Sequence, residues 1–326
     1  MKFVITIDTE ADNQWKPVPG HLPVENLEVL PRFQALCERY GFPPTYLCTY
    51  EVATADAFGR ILRPLHQQGR AEVGAHLHPW STPPATAGDL TARGAAYPSE
   101  LAPDVFTQKI EQLTASIAER LGASPTSYRA GRWGFTAAHI PDLVRLGYVA
   151  DCSVTPLVMW NDRGAVACGP DFRTAPAHPY FLDAHDATKE GTTTLVEVPM
   201  TIVSTNAAVR RWPALGDVRR RYRKARVVRL LDGAFGLSPQ WLRPYPHMTF
   251  ERLRRVVDTA RRRPLPVLEL MFHSSELLPG GSPYNATPAD VDHVFERLDR
   301  LFAYLRRLQV QGTTLSAFAQ SMRVRT

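Results

Sequence analysis

Short apolar runs alternate with segments of helical period through the first half of this 326-residue chain, and that alternation limits the fold more than any single motif. The chain enters a β-branched apolar run at once (Phe3, Val4, Ile5, Ile7), which reads as a buried strand. Residues 26–40 then set Leu27, Leu30, Phe33, Leu36 and Cys37 at helical spacing, ended by Gly41. Residues 45–50 and 71–76 read as strands on either side of a helix over 55–68 that Gly69 closes. Helix 105–121, a short strand ending at 127–129, helix 137–146 and strand 148–152 continue the order. Parallel strands need helical crossovers of this kind, so the pattern predicts an α/β fold with a parallel sheet. Residues 79–103, rich in Pro, Ala, Thr and Gly, have neither period and predict a long loop at a functional rim. Irregular or hairpin structure is expected over 164–180, strands over 194–199 and 266–273, and a helix over 288–308.

No run of eighteen apolar residues occurs, and the amino terminus reads directly into a strand, which predicts a soluble protein of the cytoplasm. Cys37, Cys48, Cys152 and Cys168 form no Cys-x-x-Cys pair and read as reduced thiols in or near the core. The net charge of +6 is modest, but arginines concentrate between Arg210 and Arg229, inside an insertion over 207–263 expected to hold two or three helices. That segment reads either as a solvated helix face or as a surface for an anionic ligand such as a diphosphate or a lipid headgroup, which leaves peripheral membrane contact open. Aromatic residues do not interleave with these charges, so nucleic acid is not expected as a partner.

The chemistry-bearing residues stand at strand ends. In TIDTEAD, Asp8 and Glu10 are two apart, so a continuing strand sends both side chains from one face. His76 and His78 in GAHLHPW share a face by the same argument, and two imidazoles with a carboxylate suit zinc or a similar divalent ion with positions left open. Arg129 in YRAGRWG ends a strand, where its fork can orient the Asp8 carboxylate, and Asp151 in DCSV can in turn hold Arg129. His273 in MFHSSEL closes the last strand and is suited to protonating a leaving group. Each taken alone has a bland reading as a cap or a satisfied loop residue. Together they occupy the carboxyl ends of five strands, where α/β barrels gather their reactive loops.

In this order the five motifs resemble those of the NodB-homology polysaccharide deacetylases, carbohydrate esterase family 4, and within it the WalW-like branch associated with lipopolysaccharide biosynthesis. The resemblance runs from residue 3 to about residue 285 and implies a distorted (β/α) barrel of about seven strands, a single domain over 1–326 interrupted by the insertion. It implies a hydrolase removing an acetyl group, in the first place N-linked, from a sugar, a nucleotide sugar, a lipid-linked sugar or a natural-product precursor. By motif, Asp8 is the general base, with Arg129 and Asp151 behind it, and His273 is the general acid. Glu10, His76 and His78 hold the metal, zinc or else cobalt, and water activated there is the nucleophile. Trp80, Trp133 and Gly134 contact substrate. The chain departs from the commonest pattern in three motifs: Thr9 stands where many members place the metal-binding Asp, leaving Glu10 or Asp12 for that task; its histidines are two apart instead of four; and Ala130 replaces a proline, with one residue added before Trp133 and Gly134. Alternatives are a metal-independent amidohydrolase on the same scaffold and a carbohydrate-binding homologue without catalysis.

Overall fold

The structure is a computed structural model that describes residues 1–15, 22–91, 94–160, 169–204 and 238–324. Its strands are β1 (Lys2–Thr9), β2 (Pro44–Cys48), β3 (Glu72–Leu77), β4 (Leu90–Thr91), β5 (Gly94–Ala95), β6 (Ser127–Ala130), β7 (Ala150–Asp151), β8 (Tyr180–Phe181), β9 (Val196–Glu197), β10 (Ile202–Val203), β11 (Gln240–Trp241), β12 (Val267–His273) and β13 (Gln311–Gly312). Seven of them run parallel in the order β12-β1-β2-β3-β6-β7-β9. The sheet curls until its ends meet: Thr201, just beyond β9, donates its N–H to the Glu269 carbonyl on β12 (3.4 Å) and accepts the Glu269 N–H at its hydroxyl (2.8 Å). The result is a distorted barrel of the expected strand number, with β8 added antiparallel at one edge.

The helices are α1 (Leu30–Tyr40), α2 (Tyr50–Thr54), α3 (Arg63–Gln67), α4 (Pro103–Leu121), α5 (Ile140–Arg145), α6 (Phe250–Arg262), α7 (Pro288–Arg307) and α8 (Leu315–Arg323). Strand parity divides the side chains of β1. Phe3, Ile5 and Ile7 join the outer core beneath the helices, where Phe3 packs edge-on to Phe42 and Phe302, while Val4, Thr6 and Asp8 face the barrel interior. The expected helix over 55–68 is instead α2, a wide turn over Phe58–Leu62 and α3, because the chain leaves helical geometry at Ala55, whose ψ is 147°. Helix α8 lies outside the sequence reading. It closes the amino-terminal end of the barrel with Leu315, Phe318 and Ala319 against Val4, Leu47, Ala150, Val196 and Val267. The open amides of its first turn are met from inside the barrel: Leu315 N–H by Thr45 Oγ1 and Ser316 N–H by Glu72 Oε2, both at 3.0 Å.

The loop over 79–103 has more order than its composition suggests. It carries the β4–β5 hairpin and is held by Lys109 of α4, a wholly buried lysine. The Lys109 ammonium donates to the carbonyls of Pro79 (2.9 Å), Thr82 (2.6 Å) and Pro84 (2.5 Å) and to Asp89 (3.1 Å). Of the 207–263 insertion, β11 and α6 are described; the arginine-rich stretch from Arg210 to Arg229 and Cys168 lie outside the described residues. Cys37, Cys48 and Cys152 are buried and free, as expected.

Candidate active site

The carboxyl ends of β1, β3, β6 and β12 bring Asp8, Glu10, His76, His78, Arg129 and His273 to one end of the barrel. Glu10 Oε2 lies 3.0 Å from His78 Nε2 and 3.6 Å from His76 Nε2. One ligand atom from each of the three residues falls within 4.8 Å of the other two, and all three side chains are buried. Asp12 is not part of this cluster: its carboxylate accepts from the N–H groups of Glu25 and Asn26 and from the Asn26 amide.

The donor set fits a divalent cation. His76 Nδ1 is 3.0 Å from the Arg129 carbonyl, a bond that requires the proton on Nδ1, so that loss of the other proton would free an Nε2 lone pair on the side of Glu10. Burial pulls the His78 imidazole below its usual range, so it presents the neutral ring a metal needs. Burial pulls His76 down as well, but Asp8 and Glu10 outweigh it and hold its proton more tightly than usual. Burial raises Glu10, yet His273, His76 and His78 together take it far below the carboxylate range. These opposed charges would equally hold a cation.

Gly131 makes this packing possible, because a Cβ there would sit 2.4 Å from His78 Nδ1 and 2.5 Å from the Leu77 carbonyl. On its other side the His78 ring meets Trp80 at 4.2 Å, and Trp80 Nε1 donates to Gln14 Oε1 (3.1 Å), itself tied to Glu51 (2.8 Å). Trp80 thus covers a candidate ligand directly.

Beneath the cluster, Arg129 is wholly buried and spends its fork on several acceptors. Nη1 donates to Asp8 Oδ1, Nη2 to Thr6 Oγ1 (2.7 Å) and Glu269 Oε1 (2.8 Å), and Nε to the Cys152 carbonyl (3.1 Å). Burial raises the Asp8 carboxyl, but Arg129, His76 and His273 outweigh it and hold it below the usual range. With Oδ1 locked by Arg129, Asp8 Oδ2 faces His76 Nε2 and His273 Nε2, each at 3.8 Å.

Asp151 is not the partner of Arg129 that the sequence suggests. It pairs in register with Tyr128, one residue out of phase with Arg129, and so points to the outer face of the sheet. The acid that shares Arg129 with Asp8 is Glu269, an interior position of β12 inside an unbroken apolar run.

His273 Nδ1 is 2.8 Å from Glu276 Oε1, and Arg243 Nη2 lies 2.6 Å from the same oxygen and 2.9 Å from Nδ1. That grip turns Nε2 inward, 3.8 Å from Asp8 Oδ2 and 3.7 Å from Glu10 Oε1. Trp15 packs edge-on against the imidazole at 4.8 Å. Neither Glu276 nor Arg243 was singled out from the sequence. The spacing His-Ser-Ser-Glu, one helical turn, was a usable signal for Glu276, whereas nothing local marks Arg243.

Trp133 lies 4.9 Å from the Arg129 guanidinium and stacks on Trp160, with Trp241 edge-on to both. Arg132 and Trp133 are both left-handed, with φ of 53° and 62°, and this backbone sets the indole against the arginine. Gly134 instead allows close packing on Tyr97 and Pro98, where a Cβ would come within 2.7 Å of Pro98.

Comparison with solved structures places this architecture. A protein assigned as a polysaccharide deacetylase from Mycobacterium smegmatis superimposes with a TM-score of 0.58 at 16% identity, over 99% of this chain and 90% of that one. The fold is that of the polysaccharide deacetylases. A glycoside hydrolase/deacetylase assignment from Parabacteroides distasonis gives 0.62 at 11% identity, over 100% of this chain and 72% of that one. The PuuE allantoinase gives 0.53 at 15% identity, over 98% and 88%. No family model and no curated protein matches the sequence. Among the described residues, no helix is long and apolar enough to cross a membrane.

Proposed function

We propose that this chain is a divalent-metal-dependent hydrolase that removes an N-linked acetyl group from a sugar or a sugar-bearing precursor. The observation that carries the reading is the buried Glu10–His76–His78 cluster with Asp8 Oδ2 and His273 Nε2 beside it, 3.8 Å from each other. Glu10, His76 and His78 would hold the cation, zinc or cobalt by donor type, which lowers the pKa of water and polarises an acyl carbonyl when bound.

The chain's own groups supply the proton transfers. Asp8, fixed through Oδ1 by Arg129, takes a proton at Oδ2 from the attacking water as the new C–O bond forms. His273, with Nδ1 held by Glu276, gives its Nε2 proton to the departing nitrogen as the C–N bond breaks. The base must start ionised and the acid protonated, so kcat/KM should follow a bell in pH. Trp80 and Trp133 are proposed to contact the sugar, since both border this end of the barrel. The resemblance to the WalW-like branch supports a surface-glycan precursor met in the cytoplasm as the substrate.

The test is acetate release from a panel of N-acetylated sugars with added zinc or cobalt, run beside Asp8→Asn. The variant should bind metal while losing about 10³-fold in turnover. Wild-type rates in that variant would refute the assignment, and activity surviving chelation would favour a metal-independent amidohydrolase.

A further inference from the structure

Two acids that the reaction leaves unused are buried together on the outer face of the barrel. Asp151 of β7 and Glu197 of β9 are register partners on one face of the sheet, and neither has any exposed surface, so their carboxyls stand side by side out of water. Two carboxyl groups buried side by side escape like-charge repulsion only if one carries a proton. Burial raises both carboxyls and outweighs Arg129, which draws them down. Tyr128, Tyr180 and Cys152 are neutral, their acidities suppressed by burial, and Arg129, nearest across the sheet, is committed inside the barrel to Asp8 and Glu269. Burial holds both carboxyls above their usual range, Glu197 further than Asp151. Glu197 Oε2 accepts from no donor, as fits the oxygen bearing the proton.

The pair grips the backbone around the site. Asp151 accepts from the Ser153 hydroxyl (2.7 Å) and N–H (3.0 Å), and Glu197 Oε1 accepts from Val154 N–H (3.0 Å). Ser153 Oγ in turn accepts the Ala130 N–H at 2.8 Å. Ala130 enters the Gly131–Trp133 turn, which carries the left-handed Arg132 and Trp133 and packs Gly131 under His78.

We propose that Asp151 and Glu197 share one proton and form a positioning pair, in which Glu197 holds Asp151, Asp151 holds Ser153, and Ser153 fixes the turn beneath His78 and beside Arg129. Neither acid touches the reacting atoms. Its effect on turnover rests on the deacetylase reading; its effect on the turn does not. Loss of the shared proton at high pH sets two like charges side by side in an apolar environment and loosens the turn.

The experiment compares wild type, Glu197→Gln and Glu197→Ala by hydrogen–deuterium exchange of the segment containing Ala130, corrected for intrinsic exchange, alongside kcat and KM. In wild type, protection of that segment should fall about tenfold or more as pH is raised through the alkaline range, with kcat falling while KM holds. Glu197→Gln, whose amide donates to Asp151 and has no proton to lose, should keep both protection and kcat across that range. Glu197→Ala should be unprotected from the start. Identical protection profiles in wild type and Glu197→Gln would overturn the proposal, and that comparison decides even if the alanine variant fails to fold. Protection behaving as stated in a protein that releases no acetate would sink the deacetylase reading alone.

Discussion

Replacing Arg129 by Met tests the buried charge arrangement more sharply than any other single change. The guanidinium has no exposure and neutralises two carboxyls, Asp8 and Glu269, while also serving Thr6 and the Cys152 carbonyl. Methionine fills much of the volume but leaves Glu269 buried without its cation and Asp8 with only the imidazoles of His76 and His273 beside it. Removing one member of a buried pair costs about 3–5 kcal/mol, and two acids that lose their arginine put this site at the upper end at neutral pH. The pH dependence gives the signature. In wild type, Asp8 lies below its usual range, so the stability it contributes is present above the unfolded carboxylate pKa and is lost as pH falls through the lower folded value. In the variant the arginine's attraction is gone, both carboxyls titrate upward, and acidification relieves the penalty by neutralising them. The gap between the two proteins should therefore be widest at neutral pH and close as pH falls toward about 4. Urea unfolding followed by circular dichroism at several pH values measures it, with Arg129→Lys, which keeps a charge without the fork, falling between. A neutral-pH difference below about 1 kcal/mol, or one independent of pH, would refute the argument, because those values belong to exposed pairs.

Other consequences are as direct. Gly131→Ala should drive a methyl into His78 and lower zinc affinity about tenfold or more in a competition titration, with the melting temperature changed far less; unchanged affinity would remove His78 from the ligand set. Glu276→Ala should cut kcat about 10²-fold with KM little altered, because His273 loses the partner that turns Nε2 inward; an equal loss in KM alone would argue for a role in binding. Lys109→Met should destabilise the protein by about 3 kcal/mol and expose residues 79–89 to proteases, as Asp89 and three carbonyls lose their donor.

Local periodicity made most of the candidate metal cluster legible. Residues two apart on a strand share a face whatever the surrounding fold, so Asp8 with Glu10, and His76 with His78, follow from spacing once β1 and β3 are recognised from their apolar runs. The helix ended by Gly41 was legible too, since Gly41 adopts the left-handed cap, with φ of 66°. Where composition alone was the guide, as in the loop over 79–103, the reading missed the hairpin, since the order there comes from a lysine contributed by α4.

What the chain's own pattern determined, then, is the alternation of strand and helix and the faces on which Asp8, Glu10, His76 and His78 stand. Only the closed barrel decided which groups meet them. Strand β7 spans just Ala150–Asp151 within an apolar stretch, so its phase against β6 is set by pairing and not by any local pattern, and that phase turns Asp151 outward and leaves Arg129 to Glu269, 140 positions away. Arg243 reaches His273 in the same way, across a contact between segments whose neighbourhood exists only after the sheet has curled shut. Hydrogen-bond periodicity acts over a few residues and is written in sequence; the convergence of distant charges depends on curvature and strand register, which belong to the assembled sheet.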